Sequence, residues 1–214
     1  MLSEEVVEIS LRSLFVSSTA TFMALAWSVP TAYRLSASYS RLSRIIIGIC
    51  NALVSLPTVI VGLFLYMLFS RTGPLGIINL LYTPYAIILG ESILITPLLI
   101  SLFHDVFRDY RGKYWEMALS LGATSRQAAT LVIREALPRL VTASLIGFAR
   151  AISELGVALM VGGNIRGYTR VLTTSIALEV AKGEFETAIV LGLILLAIVT
   201  AIVLTIRAIK VFME

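Results

Sequence analysis

Three ionisable side chains stand inside long apolar runs: Glu91, Arg150 and Glu154. A charge at such depth costs about 2.5–3.5 kcal/mol at the centre of a membrane helix by insertion scales, so these groups face a bundle interior or a water-filled path. Arg150 and Glu154 are four residues apart, which puts them on one helix face and lets them pair. Glu91 can instead pair with Arg150 across helices. The Arg150–Glu154 pair either fixes helix packing or lines a solute path. Gly147, Ala149, Ala151, Ser153, Gly156 and Ala158 surround it, and residues this small let a second helix approach closely. A separate polar stretch, Gly162 to Glu186, carries Gly163, Asn164, Arg166 and Arg170 beside Gly162 and Gly167.

No catalytic constellation accompanies these groups. The glycine-rich phosphate loop that ends in Lys-Ser/Thr is absent, and Gly162-Gly163-Asn164 reads as a turn. His104 has no second ligand at metal-binding spacing, so neither a metal nor a cofactor is expected. Cys50, the one cysteine, excludes an internal disulfide and reads as a small apolar packing residue.

The elements that must hold these groups follow from composition. Of 214 residues, 58% are hydrophobic and 14% charged, with a mean hydropathy of +0.94. Soluble domains carry about a quarter charged residues, so this is a polytopic membrane protein in one unit spanning residues 1–214. The net charge of +4 follows membrane topology and does not indicate nucleic acid. No strand alternation is visible, and helices satisfy their own backbone in lipid. The expectation is an all-α bundle of five spans, near 14–33, 45–69, 82–103, 140–161 and 188–206, each close to the roughly 20 residues that cross a bilayer. Residues Met1 to Arg12 form an acidic interfacial lead-in with no basic n-region, so no cleavable signal peptide is expected.

Basic residues orient the spans. Arg34, Arg41, Arg44, Arg108, Arg111, Lys113, Arg126, Arg134, Arg139, Arg207 and Lys210 fall on one side. Arg12, Arg71, Arg166, Arg170 and Lys182 fall on the other, offset by Glu4, Glu5, Glu8, Glu179, Glu184 and Glu186. The first side is cytoplasmic, which places the N-terminus outside and the C-terminus inside a cell membrane.

The cytoplasmic stretch Trp115 to Pro138, WEMALSLGATSRQAATLVIREALP, is helical in pattern yet too polar to sit in lipid. It predicts a short helix with Glu116 near its start, a turn at Gly122, and a second helix capped by Ser125 that Pro138 ends or bends. Glu116-Met117-Ala118, three residues, then Gly122 resembles the EAA loop of permease subunits of ABC-type uptake transporters. Met117 replaces the family's middle alanine, Val132 stands at its isoleucine, and Arg134-Glu135 stand where Leu-Pro is expected; Leu137-Pro138 comes later.

The segment ARAISELG, from Ala149, resembles permeases for molybdate, tungstate and sulfate. GGNIRGYTRVLTT, from Gly162, and LPTVIVGLFLYMLFSRTGPLG, from Leu56, are similar to tungstate permeases in particular. The resemblance implies a homodimeric type I importer permease. Two copies of an ATP-binding subunit would sit below it, engaging Glu116, Ala118, Gly122 and Ala123. An external oxyanion-binding protein would sit above it, and lipid would surround it. Gly163, Asn164, Arg166 and Arg170 would form either an external gate or a docking patch for that protein; arginines and turn N–H groups suit a tetrahedral dianion. ATP hydrolysis would occur in the partner and drive alternating access. Molybdate or sulfate remains the alternative cargo. A secondary transporter would show paired repeats with broken helices, and no repeat is visible; a membrane scaffold would not need the loop motif.

Overall fold

The computed structural model describes the backbone of residues 2–38 and 40–211 and the side chains of 4–38 and 40–209. Met1 and the Lys210 side chain, both used above, lie outside the described residues. Eight α-helices make up the described chain: α1 (Leu2–Ala37), α2 (Arg41–Val54), α3 (Thr58–Phe69), α4 (Pro84–Ser120), α5 (Ser125–Ile152), α6 (Gly156–Gly162), α7 (Leu172–Lys182) and α8 (Phe185–Val211), with a 3-10 turn at Gly76–Ile78. No strand occurs among the described residues.

Three helices are long and apolar enough to cross a membrane unbroken: Glu4–Ala37, Pro84–Ser120 and Phe185–Ile209. Two further candidates for a crossing are bent pairs. Helices α2 and α3 meet at 102°, and α5 and α6 at 56°, which makes five spans if each pair crosses once. The expected second span, 45–69, is therefore not one helix. Pro57 has no N–H to continue the ladder and disfavours helical geometry at Leu56, and the chain turns there before restarting at Thr58. The expected fourth span, 140–161, is likewise interrupted, between Ile152 and Gly156.

Other prolines do not break their helices. Pro84 sits at the start of α4, where its missing N–H costs nothing, and the Thr83 hydroxyl accepts from Ala86 N–H at 3.2 Å. Pro97 and Pro138 lie inside α4 and α5. The consequences are larger than a shifted boundary. The expected third span and the expected short helix at Trp115 are one helix of 37 residues. The second helix of the loop and the fourth span are likewise one helix, α5.

The bundle centres on α1 and α4. Trp27 Nε1 donates to Thr96 Oγ1 at 2.7 Å, and Tyr33 meets Phe107 edge-on at 5.3 Å between ring centroids. Val16 and Ala20 share a cluster with Ala86, Ile87 and Ile88, so the two helices run parallel. A second cluster joins Ile95, Leu99 and Phe103 of α4 to Ala136, Leu140, Ala143 and Ala151 of α5. Ile9, Leu172 and Leu191 form a third, where α7 and α8 lean on the start of α1. Burying side chains of this size stabilises by about 1.5–3 kcal/mol each in water; between helices in lipid, close packing takes over that role.

Candidate functional site

The two helix breaks face each other. A Cβ at Gly156 would lie 2.7 Å from Thr58 Oγ1 and 3.0 Å from Val59 N, so this crossing of α3 and α6 admits only glycine. Beside it sits the ion pair expected from sequence. Arg150 donates from a terminal guanidinium nitrogen to Glu154 Oε2 at 2.6 Å. The spacing pairs the residues even though α5 ends at Ile152. The break gives Glu154 two further duties. Its Oε1 accepts from Val157 N–H at 3.1 Å, satisfying one N–H near the start of α6, and its backbone carbonyl accepts from Thr173 Oγ1 at 2.7 Å. The Glu154 side chain is 2% exposed, whereas that of Arg150 is 37% exposed and reaches outward.

Glu91 belongs to the same level of the bundle but not to that pair. It is 2% exposed and interacts with Ser17 of α1, and its Oε2 has no partner among the described residues. Arg150 pairs with Glu154, and no ion pair joins Glu91 to Arg150 among the described residues.

Gly163, Asn164, Arg166 and Arg170 come together at the end of the bundle where α1 begins. Gly163 closes α6 in a left-handed conformation at φ 68°, and Asn164 follows at φ 52°. Asn164 Nδ2 donates to the Thr174 carbonyl at 3.3 Å. Neither arginine is free. Arg166 Nε donates to Glu5 Oε1 at 2.9 Å and its second nitrogen reaches Oε2, a bidentate contact. Arg170 donates to Glu5 Oε1 at 3.3 Å. Arg12 ties the same loop to α1 by donating to the carbonyls of Gly167 and Arg170 at 3.0 and 3.1 Å. Arg166 holds the Glu5 carboxyl, which precedes the apolar part of α1, below the usual carboxylate range. Glu5 and Arg12 were not legible as partners of this loop, because more than 150 residues separate each from it. A cavity of about 440 Å³ opens here, lined by Glu5, Arg166, Arg170, Glu179, Lys182 and Glu184 among others.

The Gly122 turn lies at the opposite end, beyond the Tyr33–Phe107 contact. Gly122 has φ 86°. Its N–H donates to Leu119 O at 3.0 Å, and Ala123 N–H donates to Ala118 O at 3.0 Å, closing the end of α4. The cap of α5 is Thr124, one residue before the expected Ser125. Gln127 N–H donates to Thr124 Oγ1 at 3.4 Å, and Thr124 N–H donates to Gln127 Oε1 at 2.8 Å, a reciprocal capping box. Ala118 is buried at 5% exposure, while Glu116, Gly122 and Leu121 are exposed, Leu121 at 80%. Glu116 does not open a helix. It lies four residues from the C-terminal end of α4, where the dipole disfavours a carboxylate. Its exposed charge is available to a basic partner instead. The polar run Arg108 to Lys113, which concealed this continuity, is helical. Asp109 receives both Lys113 and Arg139 at 3.2 and 3.3 Å, and Arg111 stacks on Trp115 at 3.7 Å.

Comparison with known proteins adds to this geometry. Residues 22–211 match the family described as binding-protein-dependent transport system inner membrane component. The chain is 42% identical over 198 residues to the tungstate uptake system permease protein TupB of Peptoclostridium acidaminophilum, covering 92% of this chain and 87% of that one. It is 38% identical over 201 residues to a probable anion ABC transporter permease protein of Haloferax volcanii, with the same coverage of 92% and 87%. Similarity to the molybdenum transport system permease protein ModB of Azotobacter vinelandii is lower, 28% over 184 residues, covering 82% of this chain and 81% of that one.

Proposed function

Because the chain belongs to the binding-protein-dependent transport system inner membrane component family, we propose that it is the permease subunit of an ABC importer that carries tungstate into the cytoplasm. The observation that carries the choice of cargo is the gap between 42% identity to a tungstate uptake permease and 28% to a molybdenum one. In this reading two copies of the chain pair in the cell membrane, with the α1 start outside and the Gly122 turn in the cytoplasm. The asymmetry of basic residues supports that orientation. Two ATP-binding subunits each receive one Gly122 turn in a groove, a helix-in-groove contact. The exposed Glu116 and Leu121 and the buried Ala118 suit that contact: a charge and an apolar tip to engage the partner, on a helix end held rigid behind them. Ala123, whose N–H closes α4, keeps the tip in shape.

At the other end an external oxyanion-binding protein delivers the ion. Arg166 is the exposed member of the basic pair, 75% exposed against 13% for Arg170. Arg166 is therefore the docking contact, while Arg170 with Gly163 and Asn164 holds the outer loop closed. Glu91, Arg150 and Glu154 lie between these ends, on the level of the helix breaks. Alternating access then joins the three regions: ATP closes the partner subunits, the two loops approach, the bundle opens outward, and hydrolysis resets it.

The test is uptake into vesicles holding the permease with its ATP-binding subunit, supplied outside with binding protein loaded with tungstate or with molybdate. Tungstate uptake that requires both ATP and loaded protein, and exceeds molybdate uptake, is expected. Uptake that favours molybdate would move the cargo assignment, and uptake without ATP would remove the importer reading.

A further inference from the structure

The crossing of the two broken spans borders an open cleft of about 400 Å³, lined by Thr58, Val59, Arg150, Ser153, Glu154 and Gly156, with Leu155, Leu159 and Met160 as its apolar wall. Its polar lining combines the donors of Arg150 with the two hydroxyls of Thr58 and Ser153 and the Glu154 carboxylate. Arg150 has five N–H donors and spends one on Glu154. Thr58 Oγ1 makes no hydrogen bond among the described residues, and Pro57, which precedes α3, supplies no side-chain cap, leaving the N–H groups of Thr58 and Val59 without partners. The Ser153 hydroxyl donates locally to the Ala149 carbonyl at 2.8 Å and can turn away from it. The Arg150 guanidinium, 37% exposed at the edge of this groove and with N–H donors beyond the one given to Glu154, can receive an oxygen acceptor.

We propose that this cleft is a transient binding place for the oxyanion in transit, in which Arg150, the Thr58 hydroxyl and the first N–H groups of α3 receive the anion's oxygens. The inference rests on the reading of the chain as an oxyanion permease and assigns that cargo a site. The charge balance sets its strength. Glu154 cancels the formal charge of Arg150, so the anion meets a neutral pair plus oriented dipoles. Such a site admits an anion without trapping it, as passage requires. Glu154 also holds the guanidinium in reach: its own position is fixed by the Val157 N–H and the Thr173 hydroxyl, so Arg150 pivots about a stationary carboxylate. The cleft lies where α3 and α6 both restart, so bending at either break changes its width. This couples affinity to the conformation of the bundle.

The experiment uses the assembled complex with its ATP-binding subunit, carrying Ser153→Cys in a Cys50→Ala background. The rate of modification by a small thiol reagent is measured with sodium tungstate, sodium molybdate or sodium chloride at about millimolar concentration and matched ionic strength. An oxyanion is expected to slow modification roughly threefold or more where chloride does not, and Thr58→Val, which keeps the side-chain shape, is expected to abolish most of that protection. Tungstate carried per ATP hydrolysed should fall roughly tenfold or more in Thr58→Val without the thiol substitutions, the scale of one lost hydrogen bond to a charged group. Arg150→Lys keeps the charge and should restore part of the protection lost in Arg150→Gln. Should Arg150→Gln fail to assemble, Thr58→Val alone decides. Equal modification rates in all three salts, or protection that survives Thr58→Val and Arg150→Gln alike, overturns the proposal even while tungstate transport continues. Protection by molybdate but not tungstate supports the cleft and instead refutes tungstate as the cargo.

Discussion

Substitution at Gly122 separates two reasons why a glycine can stand at the tip of the loop between α4 and α5. Its φ of 86° is left-handed, and a Cβ there would meet nothing within 4 Å of the same chain. Within this subunit the cost of a side chain is therefore conformational and not steric. A left-handed residue costs about 1–2 kcal/mol for an ordinary L-residue. Asparagine tolerates that region best, and a β-branched residue tolerates it least. If the turn geometry is what the ATP-binding subunit reads, the loss should follow backbone strain: Gly122→Asn near wild type, Gly122→Ala weakened by about 1 kcal/mol or roughly fivefold in partner affinity, and Gly122→Val weakest. The hydrogen bonds at risk are those from Gly122 N–H and Ala123 N–H that close α4. Membrane insertion should be unchanged, since the turn lies outside the apolar spans. The assay is pull-down of the ATP-binding subunit together with stimulation of its ATPase by loaded binding protein. Asparagine, bulkier than alanine, would be the worse substitution if the glycine instead made room for the partner's surface. An Asn variant weaker than the Ala variant therefore refutes the conformational argument.

Two further outcomes follow from the contacts described. Thermal unfolding of the purified complex should show Arg150→Met or Glu154→Gln alone destabilising by about 2–3 kcal/mol, below the range of about 3–5 kcal/mol for a fully buried pair because the guanidinium is partly exposed; the double variant should lose less than the sum, and additive losses would deny the pair. Glu5 has a lowered folded pKa, so its tie to Arg166 and Arg170 is complete at neutral pH and is lost as the pH falls through that lowered value, below the ordinary carboxylate range. A thiol at Tyr168→Cys, in a Cys50→Ala background, should gain reactivity under acid relative to a free small thiol measured at the same pH, which removes the loss of thiolate common to both; in Glu5→Gln that ratio should not change with pH, and an unchanged acid response there would assign it to another group.

What the sequence made legible was local or compositional. Apolar runs gave the helical class and the approximate centres of the crossings, and the i,i+4 spacing gave the Arg150–Glu154 pair. The turn at Gly122 followed from a glycine interrupting a helical pattern. What escaped has a common cause: one residue type with two meanings. Prolines at 97 and 138 lie inside helices, whereas Pro57 marks a break. Charged residues from Arg108 to Lys113 read as a loop, though they coat a helix that has left the apolar layer. Glu5 reads as part of an acidic lead-in, and only folding brings it to Arg166 and Arg170.

The length of α4 has a mechanical consequence. At about 1.5 Å per residue its 37 residues extend about 55 Å, well beyond the roughly 30 Å of a hydrocarbon layer. From the middle of its apolar portion to the Gly122 turn is about 39 Å by the same rise. With α5 strapped alongside through Asp109 and Arg139, the pair forms a stiff lever whose fulcrum lies among Ile95, Leu99 and Phe103. A tilt of about 10° there sweeps the loop through about 7 Å. A displacement of that size is more than one helical turn, a scale on which packed elements shift between discrete arrangements. The gearing also works backwards: several ångströms of travel imposed on the loop become a small rotation at the level of Glu91 and Glu154. The core there can stay closely packed while the far end moves.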